Sequence, residues 1–453
     1  MAAQILAICI FVGMFLLIIL DKFERYYITL ASGALVLVLV FGVCMHSMSA
    51  IWGTLNLPSI FTSGFWYGAS EEGNSGINWS TIFFIAGMMI MVEGLGKAGF
   101  FRWLCLTLAK LVRYRIVPLL VCFMVLSAVL SMFIDSITVV LFLATVTLEL
   151  AQTMKFNPIP MILSEVFCAN LGGAATMCGD PPSIIVGTSL GYTFFDFISN
   201  TGVAVAICFV LVLIYFVLCF RKRLLRDEKN SGAAVCPQPG TAITNRPAFL
   251  LSAGVFLLAV ILLATHAQTK LTVACIGVIV AALSLVVIGC TSGGKAVLEI
   301  IKGVDYKTLL FFIGLFVSVA GLKETGVLDV IARFITTVSG GNAAIIVVII
   351  LWISAVTSAF VDNIPFAATM IPVVRSIAAA SGIDMGVLAW ALSLGTDLGG
   401  NATPIGASAN VVGTSVAAKG GYPISWGVYC KYCVGATVLV IAVSMGYLFL
   451  RYL

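Results

Sequence analysis

Charged residues are scarce in this sequence. Asp, Glu, Lys and Arg make up only 9% of the 453 residues, whereas 61% of the residues are hydrophobic. Soluble globular proteins carry about 25% charged residues, and no soluble fold could cover so much apolar surface. The lipid bilayer must therefore be the solvent, and we predict a multi-pass integral membrane protein of the plasma membrane.

Sequence patterns of soluble enzymes and of ATP-driven pumps are also lacking. There are only two His residues, and no nucleophile–base spacing, metal-ligand cluster or Gly-rich phosphate-binding loop occurs. The close pair Cys430 and Cys433 has no second pair at zinc-ligand spacing. The net charge of +5 resides in short loops. We therefore expect no enzymatic activity, no cofactor and no nucleic-acid partner.

Apolar runs dominate what remains. A membrane-spanning helix needs about 17–25 such residues, and the runs of that length lie at 3–20, 27–45, 79–96, 200–220, 247–265, 271–289, 306–322 and 424–450. The shorter segments 98–112 and 323–338 have the composition of amphipathic helices at the membrane interface. These runs predict an all-α polytopic membrane protein.

Four further apolar regions are interrupted near the middle. They lie at 116–153, 160–190, 343–379 and 387–417. Asp135–Ser136 breaks the first and Asp362–Asn363 breaks the third, whereas Gly, Pro, Thr and Asn break the other two. Irregular backbone inside a bilayer is tolerated only where protein covers it or a water-filled cavity adjoins it. The first and third regions therefore predict re-entrant helical hairpins, and the other two predict discontinuous transmembrane helices.

Positive charge orients the chain. Arg221, Lys222, Arg223 and Arg226 open a linker at 221–246, which the positive-inside rule places in the cytoplasm. The predicted division is then N-terminal membrane helices at 1–45, an extracytoplasmic loop at 46–78, transport repeat 1 at 79–220, the cytoplasmic linker at 221–246, scaffold helices at 247–289 and transport repeat 2 at 290–453.

An internal repeat occurs at a constant offset of 227 positions. Residues 131–137 (SMFIDSI) match 358–364 (SAFVDNI), and residues 171–179 (LGGAATMCG) match 398–406 (LGGNATPIG). In the predicted topology the two copies begin on opposite sides of the membrane, so we predict two inverted-topology repeats. Many secondary transporters have this architecture, with substrate and ion sites at the discontinuous helices.

The breaks supply the candidate ion-binding residues. Free backbone carbonyls and the oxygens of Asp, Asn, Ser and Thr suit a hard cation, and half-helix N-termini attract anions. The candidates are Asp135, Ser136, Thr138, Gly172, Thr176, Asp180 and Ser183 in the first copy, and Asp362, Asn363, Gly399, Asn401, Thr403, Ser408 and Asn410 in the second. Within this set, Asp362, Asn363, Asn401 and Asn410 form a candidate Na⁺ site, and either Na⁺ or H⁺ would serve as the coupling ion.

Intramembrane carboxylates are the most informative of these residues. An ionised Asp at the bilayer centre costs roughly 2.5–3.5 kcal/mol on insertion scales, so Asp135, Asp180, Asp362 and Asp397 are candidates for function. The first copy combines two carboxylates with few amides, which favours proton binding. The second copy has more neutral oxygen donors, so we predict that it binds the metal cation if one is used.

The loops at 171–183 and 398–412 resemble the signature loops of the arsenite permease and melanosomal P-protein group. Residues 358–366 resemble the second hairpin of the same group, which belongs to the ion transporter superfamily together with citrate-type carriers and sodium–proton antiporters. The resemblance covers nearly the whole chain after residue 79. Ser136 and Ser183 stand where this group usually has Asn.

The resemblance implies two re-entrant hairpins, two unwound helices at 172–183 and 399–410, and a homodimer with a moving transport domain. It implies transport of a small ion by alternating access, and the residues leave the ion open. Intramembrane carboxylates without a central Arg favour a Na⁺/H⁺ antiporter over a carrier of inorganic or carboxylate anions. An arsenite-type efflux permease and an ion channel are the alternatives.

Labelling with a membrane-impermeant thiol reagent tests the predicted topology. In variants that retain a single cysteine, Ile60→Cys should react from outside, whereas Cys236 in the linker should react only after the membrane is permeabilised. The reverse pattern would overturn the topology and, with it, the inverted relation of the two repeats.

Overall fold

The computed structural model describes residues 2–20, 22–68, 76–230 and 237–453. Within these ranges the regular secondary structure is helical, because a helix satisfies its own backbone hydrogen bonds where lipid offers none. Ten of the described helices are long and apolar enough to cross a membrane. The prediction of an all-α polytopic membrane protein is confirmed.

The helices fall into two halves on either side of residues 231–245. The first half contains α1 (Ala2–Leu20), α2 (Arg25–Leu35, continued by a π-helical segment at Val36–Cys44), α3 (Met48–Leu55), α4 (Ser63–Trp66), α5 (Trp79–Lys97), α6 (Phe100–Leu111), α7 (Ile116–Ser131), α8 (Ser136–Met154), α9 (Ile159–Gly173), α10 (Pro181–Leu190), α11 (Phe194–Phe197) and α12 (Val203–Asn230). The second half contains α13 (Arg246–Thr269), α14 (Val273–Ser292), α15 (Gly294–Gly303), α16 (Tyr306–Glu324), α17 (Val327–Val338), α18 (Ala343–Ser358), α19 (Asn363–Ser381), α20 (Met385–Gly399), α21 (Ser408–Lys419) and α22 (Trp426–Tyr452).

The beginning of the predicted linker at 221–246 is helical. Helix α12 continues to Asn230, past the predicted end of the span at residue 220. Arg and Lys are good helix formers, and Leu224 is fully buried, so the helix extends as an amphipathic segment beyond its apolar part. A 3₁₀ turn at Pro239–Ala242 precedes α13. The Ser-Gly-Ala stretch of the linker lies outside the described residues.

The internal repeat extends to the secondary structure. The four helices α5 to α8 and the four helices α16 to α19 begin and end at positions that differ by 227 at every bound. Both hairpins break where the sequence predicted, with α8 starting at Ser136 and α19 at Asn363. The two copies therefore adopt the same succession of helices.

Two close helix crossings connect the copies to the remaining helices. Helix α5 packs on α14, where a Cβ added at Gly87 would lie 2.2 Å from the Gly277 carbonyl oxygen. Helix α16 packs on α2 in the same way, because a Cβ at Gly314 would lie 2.3 Å from the Thr29 carbonyl carbon. Gly87 and Gly314 are equivalent in the repeat, and only glycine permits backbones to approach so closely.

Each hairpin also packs tightly on the discontinuous helix of its own copy. A Cβ at Gly172 would lie 2.1 Å from the Ala128 carbonyl oxygen, and a Cβ at Gly399 would lie 2.3 Å from the Ala355 Cα atom. Gly399 is the last residue of α20 and Gly172 is the last but one of α9, so both lie at the breaks. Gly172 and Gly399, predicted as ion-site residues, thus bring the hairpin backbone against the broken helix.

Alanine substitution tests this packing. Gly172→Ala and Gly399→Ala should each lower the melting temperature of the detergent-purified protein, because overpacking costs about 1–3 kcal/mol. Gly254→Ala is the matched control, since a Cβ at Gly254 in α13 would meet no atom within 4 Å. Equal melting temperatures for the three variants would contradict the close approach.

Candidate functional site

The two discontinuous helices cross each other at their breaks. Asn170 lies before the break of the first helix, and Asn410 lies after the break of the second. The Asn170 amide donates to the Asn410 Oδ1 atom at 2.8 Å. Ser183 lies after the break of the first helix, and Asp397 lies before the break of the second. The Ser183 hydroxyl donates to the Asp397 carboxylate at 2.7 Å. Residue numbers rise along one helix and fall along the other, so the two helices cross antiparallel.

These two contacts are equivalent under the repeat. Asn170 corresponds to Asp397, and Ser183 corresponds to Asn410, each at the offset of 227. The contact between Asn170 and Asn410 is therefore matched by the contact between their equivalents, Asp397 and Ser183. Reciprocal contacts of this kind are what a twofold relation between two equivalent elements produces.

Asp180 receives hydrogen bonds from both hairpins. The Ser136 hydroxyl donates to its Oδ1 atom at 2.6 Å, and the Asn363 amide donates to its Oδ2 atom at 3.4 Å. Ser136 begins α8 and Asn363 begins α19, so the tips of the two hairpins meet at one buried carboxylate. Asp180 precedes α10 but makes no capping hydrogen bond to that helix.

Asp362 lies at the tip of the second hairpin and is 6% exposed. Its carboxylate accepts the Ile364 N–H at 3.3 Å and the Ser408 hydroxyl at 3.1 Å. It also forms an ion pair with the guanidinium of Arg25, the first residue of α2. Ser408 begins α21, so this carboxylate connects a hairpin tip, a half-helix and a helix outside the repeat.

Asp135 holds the equivalent position in the first hairpin. It accepts the Ile137 N–H at 3.3 Å and, from Thr138, both the N–H at 3.1 Å and the hydroxyl at 3.0 Å. These are the hydrogen bonds of an N-cap, which satisfies free backbone donors and places negative charge at the positive end of the helix. Thr138 therefore fixes the Asp135 side chain.

Asp397 lies in α20 and is completely buried. Its Oδ2 atom accepts the Ser183 hydroxyl at 2.7 Å and is 3.5 Å from the Ser393 hydroxyl. Its Oδ1 atom has no hydrogen-bond partner among the described residues. A buried carboxylate oxygen without a donor is costly when the group is charged, so this oxygen is a position where a proton would be accommodated.

Three asparagines tie the broken helices together at the other side of the crossing. The Asn170 amide donates to the Oδ1 atoms of Asn401 and Asn410, both at 2.8 Å. The Asn410 amide in turn donates to the carbonyls of Gly400 and Thr403, both at 2.8 Å. These bonds satisfy carbonyls that the break in α20 leaves free.

The Thr side chains in the breaks also bond backbone. The Thr176 hydroxyl donates to the Met132 carbonyl, and the Thr403 hydroxyl donates to the Ala359 carbonyl at the equivalent position. Each threonine thus joins the break of a discontinuous helix to the end of the first hairpin arm in its own copy. Both hydroxyl groups are therefore used as hydrogen-bond donors to the backbone.

The candidate Na⁺ residues are divided among three networks. Asp362 bonds Ser408 and Arg25, Asn363 bonds Asp180, and the pair Asn401 and Asn410 bonds Asn170. No cluster of three or more His, Cys, Asp or Glu side chains suited to a metal occurs in the described part of the chain. We expected one ion site in each half of the chain. At Asp180, however, Ser136 of the first copy and Asn363 of the second copy bind the same carboxylate.

Four carboxylates lie at this crossing: Asp180, Asp362 and Asp397 are buried, and Asp135 is half-buried. Asp135, Asp362 and Asp397 all lie close enough to Asp180 for their charges to repel it. Arg25 pairs with Asp362, whereas the other three carboxylates form no ion pair with a described residue. If all four were ionised, negative charge would exceed positive charge around this crossing.

Arg25 and Asn170 are the functional candidates that sequence reasoning missed. Arg25 follows Lys22 and Glu24 at the start of α2. Charged residues at such a position are typical of the membrane interface, and no local pattern connects Arg25 to Asp362. Asn170 had a detectable signal, because the repeat aligns it with Asp397.

A cavity of ≈ 910 Å³ approaches the crossing from the side predicted to be extracytoplasmic. Its lining includes Lys270 and Lys323, which are predicted to lie on that side, as well as Met177 in the first break and Ala368 in the second hairpin. Polar groups from both halves line it, including Thr188. The cavity provides an aqueous approach to the discontinuous helices.

Comparison with known proteins gives consistent matches. A family model described as citrate transporter matches residues 15–395. The chain is 33% identical over 451 residues to an uncharacterised transporter of Mycobacterium bovis, and the match covers 99% of each protein. It is 32% identical over 454 residues to a 46 kDa membrane protein of Mycobacterium leprae, again covering 99% of each. It is 27% identical over 453 residues to the P protein of Homo sapiens, covering 83% of this chain and 53% of that protein.

Two solved structures have a similar fold. One is MtrF of Neisseria gonorrhoeae, described among antimetabolite efflux pumps, with a TM-score of 0.57 at 12% identity over 87% of this chain and 84% of that chain. The other is the YdaH transporter of Alcanivorax borkumensis, with a TM-score of 0.52 at 17% identity over 81% of this chain and 84% of that chain. At these identities the likeness concerns the fold.

A double-mutant cycle tests the crossing of the broken helices. Asn170→Ala and Asn410→Ala should each destabilise the purified protein by about 1–3 kcal/mol, because each leaves buried polar partners unsatisfied. The double variant should lose much less than the sum, since both changes remove the same hydrogen bond. Strictly additive losses of stability in thermal unfolding would show that the two residues do not interact.

Proposed function

The chain belongs to the citrate transporter family and is a membrane transporter, and from this premise we propose that it carries a small carboxylate anion by alternating access, coupled to protons. Family membership confirms the resemblance to the ion transporter superfamily. The anion class follows the family description, and citrate is the first compound to test.

The observation that carries proton coupling is the excess of buried carboxylates at the crossing. Charged groups inside a membrane must be paired or neutralised, and Arg25 compensates one of the four aspartates. Protons are suited to neutralising the other carboxylates, because the Asp397 Oδ1 atom has no hydrogen-bond donor among the described residues. Na⁺ would instead require several free oxygens, yet Asn401 and Asn410 use theirs to accept from Asn170.

Binding of an anion is supported by four helix N-termini directed toward the same region. Helices α8 and α10 begin at Ser136 and Pro181, and helices α19 and α21 begin at Asn363 and Ser408. The N-terminal end of a helix carries free N–H groups and partial positive charge, which favours a carboxylate. Protonation of the nearby aspartates would remove the charge that repels such a substrate.

Alternating access is supported by the reciprocal contacts at the crossing. An antiparallel crossing with a twofold relation is the arrangement expected for inverted repeats, in which one copy can adopt the conformation of the other. The Arg25–Asp362 ion pair connects α2, a helix outside the repeat, to a hairpin tip. Breaking this ion pair would release the hairpin tip from α2.

Sequence reasoning favoured a Na⁺/H⁺ antiporter because no Arg stood near the intramembrane carboxylates. The ion pair between Arg25 and Asp362 removes that argument. A positive side chain among the four helix N-termini is better suited to an anion carrier. The polar side chains at the crossing also bond one another in a buried layer, which does not resemble the continuous polar pore of a channel.

Flux into proteoliposomes tests the proposed function. An inward proton gradient should drive citrate uptake above the level reached without the gradient, and replacing Na⁺ by choline should leave that uptake unchanged. Arsenite and Na⁺ should not be transported. Uptake that requires Na⁺ would overturn proton coupling, and in that case Asn363→Ala and Asn401→Ala should weaken Na⁺ dependence far more than Ser136→Ala.

Substitution at the ion pair gives a second test. Asp362→Asn should abolish proton-driven uptake while the protein still folds, because the amide keeps the shape of the side chain but loses the charge that pairs with Arg25. Lys307→Gln is the control, since it breaks an ion pair between the exposed side chains of Lys307 and Glu24 that should contribute little. Wild-type uptake rates in Asp362→Asn would exclude Asp362 from the mechanism.

A further inference from the structure

A second cavity, of ≈ 420 Å³, lies far from the crossing, at the end of the protein predicted to be cytoplasmic. It is formed where the base of the first hairpin meets the extension of α12 and the loop after α21. Its lining consists of Ala151, Gln152, Lys155, Phe156, Asn157, Arg223, Arg226, Asp227 and Tyr422. The cavity thus joins elements of both halves.

The lining of this cavity is basic. Lys155, Arg223 and Arg226 contribute three positive charges, and none of the three forms an ion pair with a described residue. The one acidic side chain of the lining is Asp227, whose carboxylate accepts the Asn157 N–H at 3.2 Å. Positive charge therefore exceeds negative charge within a concave site, which favours an anionic ligand.

The type of basic side chain indicates a phosphate group. The planar guanidinium group of Arg donates paired hydrogen bonds that match phosphate oxygens, and Lys adds a point charge. Arg223 and Arg226 lie four and seven residues after Cys219 and therefore share one face of α12. Tyr422 also lines the cavity.

The position of the cavity indicates a lipid as the source of that phosphate. Helix α12 exposes an apolar stripe that includes Val210, Ile214 and Leu218, which are 56%, 49% and 67% exposed. Helix α12 therefore borders the bilayer, and the cavity lies beyond its apolar part, at the level of Arg223 and Arg226. Basic pockets at the cytoplasmic ends of membrane helices are suited to anionic headgroups.

We propose that this cavity binds the phosphate-bearing headgroup of an anionic phospholipid. The bound lipid would hold Lys155, next to the end of α8, against the Arg223 and Arg226 side chains of α12. Because α8 carries Ser136 at its other end, such a lipid would stabilise the base of the hairpin that contacts Asp180. The proposal is independent of which ion the protein transports.

Native mass spectrometry of the detergent-purified protein tests the proposal with phosphatidylglycerol as the probe and phosphatidylcholine as the uncharged comparison. Wild-type protein should retain phosphatidylglycerol selectively. The triple variant Lys155→Gln/Arg223→Gln/Arg226→Gln should bind it about a hundredfold more weakly, given roughly 1 kcal/mol for each of the three basic residues. The triple variant Arg221→Gln/Lys222→Gln/Lys295→Gln loses the same charge outside the cavity and should bind normally.

A second measurement on wild-type protein does not depend on the variants folding. Phosphatidylglycerol should slow hydrogen exchange in residues 151–157 and 223–228, whereas phosphatidylcholine should not. Equal weakening in both triple variants would mean that general surface charge attracts the lipid and would overturn the site. Equal protection by inorganic phosphate would assign the cavity to a soluble phosphate compound, and absence of protection would overturn the proposal.

Discussion

Backbone that leaves a helix inside a bilayer must find hydrogen-bond partners within the protein. The breaks in the two discontinuous helices impose this requirement, and much of the polar interior meets it. Thr176 and Thr403 bond carbonyls at the ends of hairpin arms, and Asn410 bonds the free carbonyls of its own break. Hairpins and broken helices are therefore interdependent, and the close glycine contacts between them are needed to bring these partners together.

Some polar side chains at the crossing are free to bind ions or substrate, because other side chains supply the hydrogen bonds that the broken backbone needs. Asp180 makes no capping bond to α10 and receives donors from both hairpin tips. Asp397 retains an oxygen without a donor. Asp135, in contrast, is engaged as an N-cap. Carboxylates at one crossing thus have different roles, which are determined by the hydrogen-bond partners that each receives.

The repeat explains both the symmetry of the crossing and its departures from symmetry. Asn170 and Asp397 are equivalent, as are Ser183 and Asn410, and the same geometry therefore holds an amide pair on one side and a hydroxyl–carboxylate pair on the other. The amide pair holds the crossing on one side, and the other side carries a titratable group, as the proposed proton coupling requires.

Much of the fold could be predicted from the sequence alone. Apolar runs of sufficient length located the spans, and Asp, Gly and Pro within apolar runs located the breaks, because these properties depend on neighbours along the chain. The constant offset between copies revealed the duplication, and the loops at 171–183 and 398–412 indicated the family. Tertiary structure alone decided that Arg25 pairs with Asp362, that Ser136 and Asn363 share Asp180, and that the candidate Na⁺ residues separate into three networks. These contacts join residues far apart in the chain, so they depend on how the helices cross rather than on any local pattern.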